Sequence, residues 1–403
     1  MGHEEPVRIL IADALSATAV TALEQLGAKV TVNASLKAEE LPAQIGDAEI
    51  LVVRSTKVTA AAVDAASSLS LIIRAGAGVN TIDVAAATRR GIHVANCPGK
   101  NSNAVAELAI GLLIAADRNI VNATVDMRAG RWRKKLYGEA AGLRGRTLGI
   151  VGLGSIGRAV VECAHGMGMK VVGWSRSLTT ETAEELGIRA CATPLELAAR
   201  ADAVSVHLAV APETERFIDA AFFDAMKSGA IFVNTSRGEI VDHEALGNAV
   251  AKKGIRAALD VFDAEPAGGD AEFADTAFAN LVSAATPHIG ASTEQSADAI
   301  ASEVVRIVRV YLETGKPPQS VNVREKSAAP NSLVVRHFNR VGVLASVLDV
   351  LKEAGINIEE MENTIFGGEG VAASCTLRLD ERPTPQVVAR LREADNIIQV
   401  SLK

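Results

Sequence analysis

Aromatic residues and cysteines are scarce in this sequence. Phe, Trp and Tyr together make up 3% of its 403 residues, and its cysteines are limited to Cys97, Cys163, Cys191 and Cys375. No two of them form a C-x-x-C pair, which argues against a zinc site and against a disulfide-stabilised fold. We therefore expect free thiols and a cytoplasmic location.

Long apolar runs and blocks of basic residues are also missing. The apolar stretch AELAIGLLIAA (106–116) is too short to span a bilayer and predicts a buried helix instead. The acidic N-terminal segment leads directly into a predicted strand, so we expect no signal peptide and no membrane partner. With a formal net charge of −7 and no long block of Lys and Arg, the composition argues against a nucleic-acid partner.

Small and branched apolar residues dominate what is present. The composition is 48% apolar, and Ala, Val, Ile and Leu supply most of it. This suits an α/β protein with buried parallel strands, and the length predicts two or three domains. Strand-like runs alternate with helical patterns in the first part of the chain, at 7–13, 48–55 and 69–76. The alternation predicts an open parallel sheet.

The middle of the chain repeats this alternation. A long helix is predicted from Ser102 to about Met127, and a second α/β series follows over about 146–281. A further helix is predicted over 294–314, and Gly315 and two prolines end it.

The pattern then changes to the order βαββαβ, which is typical of a ferredoxin-like unit. The predicted fold class is α/β, with two Rossmann-like, doubly wound parallel-sheet domains and a C-terminal ferredoxin-like domain. The predicted boundaries are 1–101 with 287–316 for the first domain, 102–286 for the second, 317–330 for a linker and 331–403 for the third.

A glycine-rich turn opens the second series. TLGIV predicts a strand, and Gly152, Gly154 and Gly157 form G-x-G-x-x-G before a predicted helix. In this context the glycines permit a tight turn, close approach of a pyrophosphate and close helix–strand packing. Residues 102–286 are therefore predicted to bind a dinucleotide.

The next predicted strand leaves the choice of dinucleotide open. NAD enzymes usually carry an acidic residue there for the adenosine ribose, whereas this chain has Ser175 followed by Arg176. Loss of the carboxylate removes a repulsion against a 2′-phosphate, and Arg176 adds a cation, so NADP is plausible beside NAD. Alternatively, Arg176 stacks on the adenine or faces water.

Three runs offer the groups that a carbonyl–alcohol interconversion needs. NTSRGEIVD (234–242) offers Arg237 to orient a substrate carboxylate, and ALDVFDAEP (258–266) offers Glu265. TPHIGAST (286–293) offers His288 as the acid/base, and a neighbouring carboxylate would raise its affinity for a proton.

Each of these residues has a structural alternative. Arg237 could form a surface ion pair, Glu265 could be an exposed carboxylate without function, and His288 could be a structural histidine. Asp260 ends a predicted strand and could hold the nicotinamide amide or only cap the strand. We interpret His207, at another strand end, as a wall of the cofactor site rather than an acid.

These runs, together with VRSTKVT around Arg54 and RAGAGVNTID (74–83), resemble the D-2-hydroxyacid dehydrogenase family in order and spacing. The resemblance covers nearly the whole chain. It implies that Arg237 binds the substrate carboxylate, that His288 is the acid/base and that Glu265 sets its protonation. It also implies cofactor contacts from Ala77, Gly152, Gly154, Ser155, Ile156, Gly157, Ser175, Arg176, His207, Leu208, Thr235, Ser236, Asp260, Gly290 and Ala291. The implied substrate-binding residues are Arg54, Ser55, Gly76, Gly78, Asn80 and Arg237.

The resemblance further implies a homo-oligomer, a dimer or tetramer. In such an assembly Arg133, Lys134 and Lys135 could reach a phosphate of the neighbour's substrate, or they could form a solvated basic turn. The third domain resembles an ACT domain, in which His337, Asn339 and Asn357 match ligands of an L-serine effector. Val341 stands where the family usually has Pro, and a purely structural, dimerising domain is the alternative.

The leading functional hypothesis is NAD(P)-dependent oxidation of 3-phosphoglycerate to 3-phosphohydroxypyruvate, the first step of phosphorylated L-serine biosynthesis. The alternative is an NADP-linked hydroxypyruvate or glyoxylate reductase, which Ser175 and Arg176 would suit. From a different class, a dinucleotide-sensing corepressor or scaffold would use the same fold without catalysis.

Overall fold

A computed structural model describes residues 5–263, 265–266, 271–324, 327–367 and 371–403. The chain divides into two compact units, Met1–Asn322 and Val323–Lys403. Two residues of the predicted linker, 325 and 326, lie outside the described ranges, as do 368–370 of the predicted third domain.

The first unit begins with a parallel sheet. Its strands are β1 (Arg8–Ile11), β2 (Lys29–Val32), β3 (Ile50–Val53), β4 (Leu71–Arg74) and β5 (His93–Asn96), in the order β2-β1-β3-β4-β5. The connecting helices are α1 (Ala17–Gln25), α2 (Leu41–Gln44), α3 (Ala60–Ala65) and α4 (Val84–Arg89). All four residues of β3 are buried, because helices cover both faces of the sheet.

A second parallel sheet follows in the same unit. Its helices are α5 (Ser102–Arg118), α6 (Ile120–Arg128), α7 (Lys134–Tyr137), α8 (Ser155–Gly166), α9 (Thr180–Glu185), α10 (Pro194–Arg200), α11 (Ala220–Ala225), α12 (His243–Lys253) and α13 (Thr276–Ala279). Its strands are β6 (Thr147–Val151), β7 (Lys170–Trp174), β8 (Arg189–Ala190), β9 (Ala203–Val206), β10 (Ile231–Asn234), β11 (Arg256–Leu259) and β12 (Ala284–Ala285), in the order β12-β11-β10-β9-β6-β7-β8. Such a doubly wound sheet binds ligands outside the carboxyl ends of its strands.

The helix α14 (Glu294–Thr314) returns the chain to the first sheet. Its apolar face, which includes Ile300, Val304 and Ile307, packs in one core with Ile9 and Ile50. The first sheet is therefore completed by a segment that follows the second sheet in the sequence.

The prediction of one helix from Ser102 to about Met127 is wrong. Asn119 adopts the left-handed conformation (φ 52°, ψ 37°), so it ends α5 and begins α6. Asparagine tolerates this conformation better than most residues with a side chain. Ala109 and Leu112 on α5 are buried, as the apolar pattern of 106–116 predicts.

The second unit has the predicted βαββαβ order. Its elements are β13 (Asn331–Phe338), α15 (Val343–Glu353), β14 (Ile358–Ile365), β15 (Ala372–Leu379), α16 (Pro385–Glu393) and β16 (Ile397–Leu402). The strands form an antiparallel sheet in the order β14-β15-β13-β16, and the inner faces of β13 and β15 pack against both helices. The predicted fold class is confirmed. In the described ranges, no helix combines the length and the apolar character that crossing a membrane requires.

Candidate active site

A cleft of about 760 Å³ collects residues that follow the strands of both parallel sheets. Predicted site residues that line it are Ala77, Gly78, Asn80, Gly154, Ser155, Ile156, His207, Leu208, Thr235, Ser236, Arg237, Asp260, His288, Gly290 and Ala291. Other predicted residues are outside this lining: Gly152, Gly157, Ser175, Arg176, Arg54, Ser55, Gly76 and Glu265. Most of the predicted cofactor and substrate residues are thus in one place.

The glycine-rich turn has the geometry that the fingerprint predicts. Gly152 has φ 95°, and a Cβ there would lie 2.4 Å from the carbonyl oxygen of His207. A Cβ on Gly157 would lie 2.1 Å from the carbonyl oxygen of Gly152, so α8 can approach the turn only with glycine there. No side chain caps α8, whose first residue, Ser155, lines the cleft. These features fit a dinucleotide phosphate at the helix N-terminus.

The end of β7 carries no acidic residue. Trp174 ends this strand and stacks on Phe217 with ring centroids 5.3 Å apart. Ser175 and the exposed Arg176 follow directly. This position, where a carboxylate would hold an adenosine ribose, is therefore occupied by a hydroxyl and a cation.

His288 and Glu265 form a close pair. Nδ1 of His288 lies 2.6 Å from Oε2 of Glu265, and Oε1 of Glu265 accepts a hydrogen bond from the backbone N–H of Phe262 at 3.0 Å. Burial raises the pKa of Glu265, but the bonds from His288 and Phe262 and the charges of His288 and Arg237 outweigh it, leaving the pKa below its ordinary value. Glu265 is therefore ionised at neutral pH.

Asp260 organises the loop that carries His288. Its buried carboxylate accepts from the Thr286 hydroxyl (2.6 Å) and from the backbone N–H groups of Ile289 (2.8 Å) and Gly290 (2.9 Å). Its carbonyl oxygen accepts from the N–H of His288 at 2.8 Å. His288 itself has φ 52°, a conformation that is uncommon for a residue with a side chain. Asp260 lines the cleft as well.

Arg237 follows β10 and lies on the same cleft. Its Nη1 donates to the carbonyl of Ser236 at 2.7 Å. The neighbouring Gly238 touches backbone, since a Cβ there would lie 2.3 Å from the carbonyl carbon of Phe262. Arg237 is also close to Gly78, whose Cβ would lie 3.3 Å from Nη2 of the guanidinium. The turn thus places a fixed cation between the two sheets.

Arg74 is a site residue to which the sequence analysis gave no role. It ends β4 and lines the cleft, and its buried Nε has no hydrogen-bond partner among the residues that the structure describes. Burial, and after it the charges of Arg237 and Arg54, lower the pKa of Arg74. Arg74, at the end of β4, is therefore close to two further arginines, Arg237 and Arg54. The available signal was that Arg74 terminates a parallel strand, where ligands bind.

His207 remains neutral. Its Nε2 lies 2.8 Å from the hydroxyl of Ser205, and its Nδ1 is buried without a partner among the described residues. Burial lowers the pKa of His207 to about 3. A neutral imidazole suits a residue that only lines the cofactor site. It has no second ring proton to donate as a catalytic acid near neutral pH.

The remaining predicted residues lie elsewhere. Lys134 and Lys135 line a separate surface depression with Trp132 and Arg133, so one copy of the chain does not bring them to the cleft.

The predicted effector residues lie in the second unit. His337 on β13 is buried, with Nδ1 2.9 Å from the carbonyl oxygen of Phe338 and Nε2 3.2 Å from the side-chain oxygen of Asn363. The backbone N–H of Asn339 donates to the carbonyl of Val371 at 2.9 Å, and that of Asn357 donates to Asp380 at 2.9 Å. The sequence analysis did not single out Asn363.

Comparison with known proteins gives the same picture. Residues 110–290 match the NAD binding domain of D-isomer specific 2-hydroxyacid dehydrogenases, and residues 331–396 match the ACT domain. The chain is 41% identical over 365 residues to D-3-phosphoglycerate dehydrogenase of Methanocaldococcus jannaschii. The aligned region covers 90% of this chain and 68% of the relative. It is 38% identical over 348 residues to D-3-phosphoglycerate dehydrogenase of Mycobacterium bovis. That aligned region covers 84% of this chain and 63% of the relative. The chain thus spans about two thirds of the length of these relatives.

Solved structures share the fold of the first unit. A crystal structure of NAD+-bound 3-phosphoglycerate dehydrogenase of Entamoeba histolytica is similar with a TM-score of 0.66 and 28% identity, covering 79% of this chain and 99% of that one. The matched NAD binding domain and the glycine-rich turn confirm the predicted NAD(P) cofactor. Sequence and fold together show that the chain belongs to the D-isomer specific 2-hydroxyacid dehydrogenase family of oxidoreductases.

Proposed function

We propose that this enzyme oxidises 3-phosphoglycerate to 3-phosphohydroxypyruvate, the first step of phosphorylated L-serine biosynthesis. The observation that carries the proposal is the His288–Glu265 pair beside a cleft that Arg74 and Arg237 line, with Arg54 close to Arg74. The names of the relatives at about 40% identity support the same substrate.

The charge of the substrate matches the cations. 3-Phosphoglycerate carries a carboxylate and a phosphate, and Arg74 lies close enough to both Arg237 and Arg54 to interact with them electrostatically. Arginine suits both groups, because its planar guanidinium can donate two parallel hydrogen bonds to a carboxylate or a phosphate. We assign Arg237 to the carboxylate and the reacting carbonyl, and Arg74 with Arg54 to the remaining anionic charge. Ser55, Gly76, Gly78 and Asn80 complete the proposed substrate side.

His288 is the proposed base. Since the Glu265 carboxylate can only accept a hydrogen bond, Nδ1 of His288 carries a proton and Nε2 offers its lone pair. Nε2 then takes the proton of the substrate hydroxyl as the carbonyl forms, and the charge that develops on the imidazole faces Glu265. Arg237 polarises the oxygen of the forming carbonyl.

The cofactor supplies the acceptor for the hydride that leaves the substrate carbon. The glycine-rich turn and the start of α8 would hold its phosphates, and Ser175 and Arg176 would meet its adenosine ribose. His207, Leu208, Thr235 and Ser236 would form one wall, and Asp260, Gly290 and Ala291 would border the nicotinamide.

The same proposal assigns the predicted domains. Residues 1–101 with 287–316 would bind substrate and 102–286 the cofactor, while 331–403 would regulate through an L-serine site at His337, Asn339 and Asn357. Lys134 and Lys135 would act on a neighbouring copy in a dimer or tetramer. The unpaired cysteines support a reducing compartment such as the cytoplasm.

A second candidate is an NADP-linked reductase of hydroxypyruvate or glyoxylate. The hydroxyl and cation after β7, in place of a carboxylate, favour it. The ACT domain and the three arginines favour the first candidate, since a small reductase substrate carries only one anionic group.

Initial rates test the proposal. We expect cofactor reduction with 3-phosphoglycerate to exceed reduction with D-glycerate, in parallel assays with NAD and NADP. Inactivity with 3-phosphoglycerate, combined with rapid glyoxylate reduction, would favour the second candidate. Addition of L-serine tests the regulatory role, and unchanged rates would remove it.

A further inference from the structure

The loop after β3 is wrapped around one carboxylate. Oδ2 of Asp13, which lies just beyond β1, accepts hydrogen bonds from the backbone N–H groups of Arg54 (2.6 Å), Ser55 (3.1 Å) and Thr56 (3.1 Å). Successive N–H groups that converge on one point form a concavity that binds anions. In this protein the chain fills that concavity with its own side chain.

The same loop is held from a second direction. The hydroxyl of Thr56 lies 3.2 Å from the carbonyl oxygen of Ala12 and 3.3 Å from that of Leu36. These contacts tie Thr56 to the segments that follow β1 and β2, whereas the Asp13 carboxylate fixes the direction of the three N–H groups of the loop. The conformation at Arg54 and Ser55 therefore depends mainly on Asp13.

Asp13 also belongs to the electrostatics of the cleft. Its negative charge raises the pKa of Arg74, against the larger lowering effects of burial and of Arg237 and Arg54. It therefore acts on the same guanidinium as the other two arginines. A negative charge among convergent cations reduces their mutual repulsion in the free enzyme.

We propose that Asp13 is a positioning residue for the substrate: it sets the turn that presents Arg54 and Ser55, and it occupies the backbone anion site. Anionic groups of the substrate are then directed to the arginine side chains rather than to the main chain of 54–56. This inference rests on the proposed function, because it takes Arg54 and Ser55 as substrate contacts.

The test is steady-state kinetics of Asp13→Ala and Asp13→Asn with 3-phosphoglycerate. In Asp13→Ala we expect KM for 3-phosphoglycerate to rise about tenfold, the effect of losing one charge-assisted hydrogen bond between a displaced Arg54 and the substrate, with KM for the cofactor unchanged. Asp13→Asn keeps one oxygen and should show a smaller rise. Sodium formate, compared with sodium chloride at equal ionic strength, should lower KM of Asp13→Ala by placing a carboxylate in the opened concavity.

A matched control separates positioning from general destabilisation. Asp219 also accepts a backbone N–H, that of Phe222 at 3.0 Å, at the start of α11. Asp219→Ala should lower the melting temperature without changing KM or responding to formate. If Asp13→Ala does not fold, the test uses Asp13→Asn. In that variant KM for 3-phosphoglycerate should rise relative to KM for the cofactor.

The inference is overturned if the folded Asp13 variants keep the wild-type KM for 3-phosphoglycerate. It is also overturned if KM for 3-phosphoglycerate and KM for the cofactor rise together and formate does not lower KM for 3-phosphoglycerate. Failure of the proposed function is distinct, since the wild-type enzyme would then not turn over 3-phosphoglycerate at all.

Discussion

Nδ1 of His288 lies 2.6 Å from Oε2 of Glu265, and this contact determines which nitrogen of the ring can react. The ionised carboxylate accepts, so Nδ1 carries a proton, and in the neutral ring Nε2 is then the nitrogen with the lone pair. Glu265 is itself held by the N–H of Phe262 at 3.0 Å. The pair is therefore oriented before substrate binds.

Glu265→Gln should lower stability in a pH-dependent way. The pKa of Glu265 is lowered from 4.5, although burial alone would raise it, because hydrogen bonds from His288 and Phe262 favour the carboxylate. A group with a lowered folded-state pKa contributes stability that is complete above its unfolded pKa and is lost as pH falls through the folded value. We expect the wild type to have a higher melting temperature than Glu265→Gln at neutral pH. The difference between the two melting temperatures should narrow below about pH 4. Melting curves across this range test it, and a gap that widens on acidification would contradict the account.

Asp260→Asn should impair turnover by loosening the His288 loop. Asp260 is 1% exposed and its carboxylate meets three donors, whereas an amide would turn its own N–H groups toward one or more of them. Leaving a buried donor unsatisfied costs about 1–3 kcal/mol. We expect a lower kcat and a lower melting temperature, measured beside Asp219→Asn as a control for loss of a surface cap. Wild-type kcat in Asp260→Asn would show that the loop does not depend on this carboxylate.

Arg74→Gln should discriminate between substrates. Removing one guanidinium from the cluster takes away a partner of the substrate's anionic charge, and a charge-assisted bond corresponds to about tenfold in affinity. We expect KM for 3-phosphoglycerate to rise about tenfold, and KM for D-glycerate, which lacks the phosphate, to rise less. Equal effects on both substrates would place Arg74 outside the phosphate contacts.

Ser175→Asp should shift cofactor preference toward NAD. An acidic side chain after β7 can accept from the ribose hydroxyls and repels a 2′-phosphate. We expect the ratio of kcat/KM for NAD to that for NADP to increase about tenfold, since one charge-assisted contact has that size. Arg176→Ala is the companion variant and should weaken NADP alone. No change in the ratio for either variant would mean that the ribose does not reach this strand end.

Local patterns predicted the conformation of the glycine-rich turn. Gly152 and Gly157 are specified by contacts with nearby backbone, and such constraints are visible in the sequence as fixed glycine spacing. The grouping of Arg237 and His288 also followed from sequence, because each residue comes shortly after a strand of a parallel sheet, and the carboxyl ends of such strands meet at one edge.

Contacts between segments that are distant in the sequence could not be predicted from local patterns. The break at Asn119 depends on one backbone conformation inside a continuous helical pattern. The roles of Arg74 and Asp13 depend on which loops meet across β1, β3 and β4, and sequence does not specify that meeting. Lys134 and Lys135 were predicted to contact substrate, but they lie apart from the cleft of their own chain.

The most direct test of the central claim is the turnover of His288→Gln with 3-phosphoglycerate, alongside cofactor affinity by nucleotide fluorescence. If Nε2 of His288 takes the hydroxyl proton, kcat should fall by about 10²–10⁴ while cofactor affinity stays near the wild-type value. A His288→Gln enzyme that keeps wild-type kcat would contradict the assignment of the His288–Glu265 pair as the proton acceptor.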